Sequence, residues 1–143
     1  MHLVHATSVE IDGHAVLIRG PSGCGKSDLA LRLMDQGAQL VADDQSGLSA
    51  ENGRLFVSCP PSIAGMIEVR GLGILRLPHR DRVPLALVVD LVAAKDVERL
   101  PEPSRTAFLG IQVPRVALCA FESSTPAKVR LAVSVATRDS TVL

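Results

Sequence analysis

Residues 20–27 read Gly-Pro-Ser-Gly-Cys-Gly-Lys-Ser, which satisfies G-x-x-x-x-G-K-[ST] at every fixed position. Such a loop has to leave a strand and open a helix. Its backbone N–H groups and the positive end of that helix are what hold an anion. The flanks comply. Residues 14–19 (HAVLIR) read as a strand, and Leu29, Ala30, Leu33 and Met34 recur at helical spacing after the loop. Gly37 stands where a helix C-cap belongs. The loop glycines let the backbone curl so that successive amides point at phosphate oxygens. Lys26 would reach the β and γ phosphates as a point charge, and Ser27 would offer its hydroxyl to Mg2+. The expected phosphate-binding set is therefore Gly20, Pro21, Ser22, Gly23, Cys24, Gly25, Lys26 and Ser27. A pattern with four fixed positions also arises by chance, but the strand before it and the amphipathic helix after it favour the phosphate loop. Cys24 reads as a small residue that fits the loop rather than as a redox thiol.

The rest of the chain supplies more strands than helices. Residues 4–11 alternate loosely as a strand and meet 14–19 through an Asp12-Gly13 hairpin turn. Residues 39–42 form a short apolar strand ending in Asp43-Asp44. Asn52-Gly53 predicts a second hairpin between 46–50 and 54–58, broken by Cys59-Pro60-Pro61, with Ser62 capping one helical turn. Residues 66–77 look extended or looped. Residues 85–92 (LALVVDLV) give the strongest buried-strand signal, and 96–105 read as a surface connection. A strand is expected over 113–121, then a helix opened by Thr125-Pro126 and running to about 137, then a fraying tail at 138–143. The expected fold is α/β, one domain over 1–143, with a mixed β-sheet around a single strand–loop–helix unit.

Composition narrows the partners. Fifteen basic residues balance fifteen acidic ones, so nothing pulls the chain toward nucleic acid or an anionic membrane. Aromatics are 2% of residues, with no Trp or Tyr, too few for a single-strand stacking platform. The core must be aliphatic. No apolar run reaches the length of a membrane span, and the first residues do not resemble a signal peptide. Cys24, Cys59 and Cys119 are far apart and match no zinc spacing, which fits reduced thiols in a cytoplasmic protein.

A phosphate loop that does chemistry needs carboxylates at a nearby strand end. Asp43-Asp44 ends the strand directly after the loop's helix. A right-handed crossover would set that strand beside the loop strand, in parallel, opening on the same edge. Two adjacent carboxylates near bound phosphate repel each other's charge, which favours one of them as a proton acceptor. Asp90, inside the apolar run, is the weaker candidate and could instead cap its strand.

In this order and spacing the loop, Leu40-Val41-Ala42-Asp43-Asp44 and Glu68-Val69-Arg70-Gly71-Leu72-Gly73-Ile74 resemble the catalytic domain of HPr kinase/phosphorylase, over about residues 5–77. The resemblance implies a PEP-carboxykinase-like P-loop kinase architecture. It also implies an enzyme that phosphorylates a serine of HPr, the small phosphocarrier of the bacterial phosphotransferase system, with ATP and often pyrophosphate, and that removes the phosphate by phosphorolysis. Carried over, Lys26 contacts phosphate and Ser27 binds Mg2+. Asp44, with Asp43 beside it, accepts the serine proton. Glu68 is the second metal ligand, and Arg70, Gly71 and Gly73 shape the catalytic segment. His5 stands fifteen residues before the first loop glycine, where the family has an active-site His. The family's hexamers imply self-association. Pro21 and Asp28 replace residues that are commonly Asp and Glu in the family, and Lys128 and Arg130 are both candidates for a downstream family Arg. The chain resembles a short form that begins at the catalytic domain and ends before a segment important for dephosphorylation, so kinase activity is expected and phosphorylase activity is not.

Blander assignments stand beside these. His5 would otherwise be a surface residue, Glu68 and Arg70 a solvated strand face, and His79-Arg80-Asp81-Arg82 a charged turn rather than a docking patch for an acidic partner. The alternative functions are a small-molecule kinase or NTPase, and a nucleotide sensor without catalysis. No adenine-recognition motif is evident, which leaves ATP, GTP and pyrophosphate open as donors.

Overall fold

The computed structural model describes residues 1–137, and the tail at 138–143 lies outside them. Ten strands and two helices come in the order β1 (His2–Ile11), β2 (His14–Arg19), α1 (Lys26–Asp35), β3 (Gln39–Ala42), β4 (Gln45–Glu51), β5 (Arg54–Ser58), β6 (Met66–Val69), β7 (Gly73–Arg76), β8 (Val83–Leu91), β9 (Ser104–Phe108), β10 (Ile111–Leu118) and α2 (Thr125–Ala136). The expected mixed α/β architecture is the one observed. Both predicted hairpins form, with Asp12 at φ 50° and Gly13 at φ 85° in the first, the positive values that a tight two-residue turn demands.

The large sheet closes on itself. Along β2-β1-β4-β5-β8 every neighbour is antiparallel, and β8 then pairs with β2 in parallel, completing a ring. β10 extends it parallel to β8, and β9 lies antiparallel at the outer edge. Ala15, Leu17, Leu48, Val57 and Val88 are among the side chains packed inside the ring. The opposite face of β1, β2 and β8 carries Val9, Val16, Ile18, Leu87 and Val89 against α1 and α2. β2 is thus buried on both faces, which is why it reads as an unbroken apolar run rather than an alternating one.

The sequence misplaced β3. It does not lie beside β2, because β1 already occupies that edge and β8 takes the other. Instead β3 and β4 share the far edge of β1. β4 pairs with residues 2–5 and β3 with residues 8–10, both antiparallel. They form one line interrupted by Asp43-Asp44. The end of β3 still opens on the edge where the glycine-rich loop leaves β2, as expected. Residues 66–77 are extended, in keeping with the sequence, and their strands pair as a hairpin, β6–β7, a separate two-stranded sheet. Two further segments differ from expectation. Ser62 lies within a 3-10 turn (Pro61–Ile63) rather than capping it. The surface connection ends in an unforeseen strand, β9, whose Phe108 is buried.

Asp90 serves this framework. It sits opposite Arg19 in the β2–β8 register, and both Arg19 Nε and Nη2 donate to its carboxylate, at 2.7 and 2.9 Å. Arg115 on β10 donates to the same group, and the Arg19 guanidinium also lies 5.5 Å from the Phe108 ring centroid. Burial disfavours the charged carboxylate. The hydrogen bonds and charges of the two guanidiniums outweigh it and hold the Asp90 carboxyl below its ordinary range. A depressed folded-state value means the contribution is complete above the unfolded pKa and lost as pH falls through the folded one. Asp90→Asn should therefore cost about 2 kcal/mol at neutral pH, allowing for partial exposure. Urea unfolding across pH should show that deficit shrinking below about pH 4.

Candidate active site

The site forms where three backbone ends meet: the close of β2, the start of α1 and the kink between β3 and β4. Gly25 occupies the N-cap of α1 in a left-handed conformation, φ 100°, with no side-chain cap, so the first-turn amides border the cavity. A Cβ there would come within 2.9 Å of both Ala120 Cβ and Phe121 Cζ. Gly25 thus meets two demands at once, the turn and a close neighbour. Lys26 is almost fully buried, and its ammonium donates to the carbonyls of Gly20 (2.8 Å) and Pro21 (3.1 Å). Two of its three protons therefore brace the loop. Cys24 packs on the helix-side core, with its Sγ 2.5 Å from where a Cβ on residue 20 would sit. It acts as a close-fitting residue of the loop, as the sequence suggested.

Asp43 is the hub. Its Oδ1 accepts from Ser27 Oγ at 2.6 Å and from Thr7 Oγ1 at 3.1 Å, and its Oδ2 accepts from the backbone N–H of Glu68 at 3.1 Å. Asp44, next in the chain, faces the other way. Its side chain is 67% exposed and lies 2.8 Å from His5 Nε2. The two carboxylates diverge because the backbone kinks between the strands. Asp44 has φ 65°, and the Gln45 N–H bonds Asp43 O at 2.7 Å, a γ-turn of the rare positive-φ kind.

Thr7 escaped the sequence reading. It is fully buried, donates to Asp43, and accepts the Asp44 backbone N–H at 3.1 Å, so one hydroxyl fixes both aspartates. Strand alternation carried the signal, since Thr7 is two residues after His5 and shares its face of β1.

The cavity encloses about 520 Å3 and includes Ser22, Lys26, Ser27, Asp43, Asp44 and Glu68 on its wall. Glu68 and Arg70 are exposed on the β6–β7 hairpin at its rim, and the cavity touches both. Only the backbone of Glu68 is bonded to Asp43. A separate cavity of about 310 Å3 near His14, Arg54 and Gln112 shares none of these residues. Of the residues expected to work together, His5, Lys26, Ser27, Asp43, Asp44, Glu68 and Arg70 all border one space or touch a residue that does. Arg130 does not belong here. It donates to Leu33 O and Gln36 O at the far end of α1. Lys128 lies 3.9 Å from Glu122. The charges of the 79–82 segment are engaged within the chain: Arg80 with Glu10 at 3.7 Å, Asp81 with the Cys59 amide, and Arg82 with Glu51 and the Phe56 ring.

A family model described as the HPr Serine kinase C-terminal domain matches residues 1–140. The chain belongs to that family. The HPr kinase/phosphorylase of Bordetella petrii is 41% identical over 127 residues, which cover 80% of this chain and 41% of that protein. The HPr kinase/phosphorylase of Burkholderia lata is 39% identical over the same length, covering 80% and 39%. The chain thus spans about two fifths of the length of these curated relatives. The solved structure of the Hpr(Ser) kinase/phosphatase from Coxiella burnetii superposes with a TM-score of 0.85 at 30% identity, over 97% of this chain and 98% of that one. Among the described residues, no helix is long and apolar enough to cross a membrane.

Thr7→Val keeps the shape of the buried side chain but leaves the Asp44 amide unpaired and removes one donor from Asp43. It should cost about 1–3 kcal/mol in urea unfolding, with Thr7→Ser recovering most of the loss.

Proposed function

We propose that this HPr serine kinase C-terminal domain transfers a phosphoryl group from ATP, or from pyrophosphate, to a serine of an HPr-type phosphocarrier of the bacterial phosphotransferase system. The observation that carries this is the split of the Asp43-Asp44 pair: one carboxylate bonded to the loop serine, the other open to solvent 2.8 Å from a histidine. A kinase acting on a protein needs both, a fixed oxygen beside the phosphates and an accessible base for a hydroxyl that arrives from outside.

Ser27 Oγ, in the first turn of α1, is held by Asp43 Oδ1, and the exposed Glu68 carboxylate borders the same cavity, so Ser27 and Glu68 offer hard oxygen donors. Among the described residues no three His, Cys, Asp or Glu side chains converge into a cage. That donor set fits Mg2+, which takes one or two carboxylates and completes its shell with phosphate and water. Bound there, Mg2+ would neutralise phosphate charge as the P–O bond breaks.

The chain's own groups have separable tasks. The loop amides and Lys26 bind the phosphates through N–H donors. Asp43 holds the Ser27 hydroxyl in place. Asp44 takes the proton of the incoming serine hydroxyl, with its carboxylate oriented by His5 Nε2. Glu68 joins Ser27 as a metal ligand, and Arg70, which borders the same cavity, offers its charge to the transferred phosphate. A cytoplasmic location belongs to this reading, and the three free cysteines fit it.

With wild-type protein, labelled phosphate from ATP should appear on carrier serine and depend on Mg2+. Asp44→Asn should lower that transfer about 100- to 10,000-fold while Mg-ADP affinity changes by less than about threefold. Undiminished transfer by the variant would remove Asp44 from its role. Binding without transfer by the wild type would favour the sensor function, and transfer without the carrier would favour a small-molecule kinase or NTPase.

A further inference from the structure

The cavity has an apolar end. Phe121, in the turn between β10 and α2, is 69% exposed, yet its ring rests against Gly25, where any side chain would meet Cζ at 2.9 Å. Phe121 and Leu31 of α1, itself 39% exposed, border the same cavity as Ser22, Lys26 and Ser27. The chain has three phenylalanines and no other aromatic residue of the Phe, Trp or Tyr kind. The other two are engaged in the sheet: Phe108 is buried beside Arg19, and Phe56 lies under Arg54 and Arg82.

The turn around Phe121 is held rigidly. The Arg32 guanidinium, on α1, donates to the carbonyls of both neighbours of Phe121, Ala120 and Glu122. Thr125, fully buried, donates through its hydroxyl to Cys119 O, and its amide donates to Glu122 O at 3.2 Å. A large apolar ring kept in water by a fixed backbone has little freedom left to lose on contact, so a flat ligand gains stacking at small entropic cost. Phosphates on the loop amides would point the remainder of a nucleotide out of the loop, and this ring stands against Gly25, the N-cap of α1.

We propose that Phe121 is the stacking platform for the purine base of a nucleoside di- or triphosphate whose phosphates lie on residues 20–27. The proposal rests on the phosphate-site assignment and adds what that site lacked, a feature that distinguishes a nucleotide from pyrophosphate. Base–aromatic stacking removed by truncation weakens binding about 5- to 150-fold.

Calorimetry with Mg2+ should compare ADP and inorganic pyrophosphate on wild type, Phe121→Leu and Phe121→Ala, each checked for an unchanged thermal transition. Both variants should bind ADP about tenfold or more weakly, and pyrophosphate within about twofold of wild type. Because the chain has no Trp or Tyr, Phe121→Trp supplies a single indole, whose emission should be quenched by ADP and not by pyrophosphate. Equal weakening of both ligands, weakening of neither, or an indole blind to ADP would overturn the stacking role. Wild-type protein that binds pyrophosphate but not ADP would do the same. Failure to bind either ligand would refute the phosphate site itself, and this proposal with it.

Discussion

A single carboxylate, Asp43, ties together the parts of this molecule that chemistry would need. Its two oxygens accept from the first turn of α1 through Ser27, from β1 through Thr7, and from the β6–β7 hairpin through the Glu68 amide. These three elements belong to different layers, and the hairpin is not hydrogen-bonded into the large sheet at all. A buried charged acceptor with three donors is stable where one with fewer is costly, so the hub both demands and enforces the alignment. The path of the next residues is a consequence of that alignment. The backbone turns sharply after Asp43, and Asp44 emerges on the solvent side within reach of His5.

Local signals carried most of this. The Asp12-Gly13 and Asn52-Gly53 turns and the amphipathic spacing of α1 are each written in a few consecutive residues, and each forms as expected. The glycine-rich segment joins β2 to α1, the position its flanks implied. Side-by-side placement was not written that way. β3 was assigned next to β2 by the crossover rule, which presumes an open edge, and the β1–β2 hairpin had already closed that edge. Likewise β9 is held by pairing with β10 and by one buried Phe, with alternate exposed residues that resemble a loop.

The candidate site residues divide along the same line. Lys26, Ser27, Asp43, Asp44, Glu68 and Arg70 stand in short motifs and were named from them, and His5 was named from its distance to the loop under the family resemblance. Thr7 and Phe121 have no motif. Thr7 reaches Asp43 because β1 lies next to the kink, and Phe121 reaches Gly25 because a turn about a hundred residues after the loop returns there. Asp90, weighed as a strand-end metal ligand or cap, instead lies between two guanidiniums that come from β2 and β10. Each of these depends on contacts between segments distant in sequence, which periodicity does not report.

The closed ring has a consequence for how the molecule comes into being. The strand that bears the glycine-rich loop is flanked by β1, made just before it, and by β8, whose Asp90 lies 71 residues beyond Arg19. Until β8 leaves the ribosome, β2 has only one neighbour and the loop hangs from a half-supported hairpin. Long-range parallel pairing of this kind is slow to form. A nascent chain therefore carries the complete loop motif well before it has a platform for that motif, and the loop should settle into its final shape only as the ring shuts.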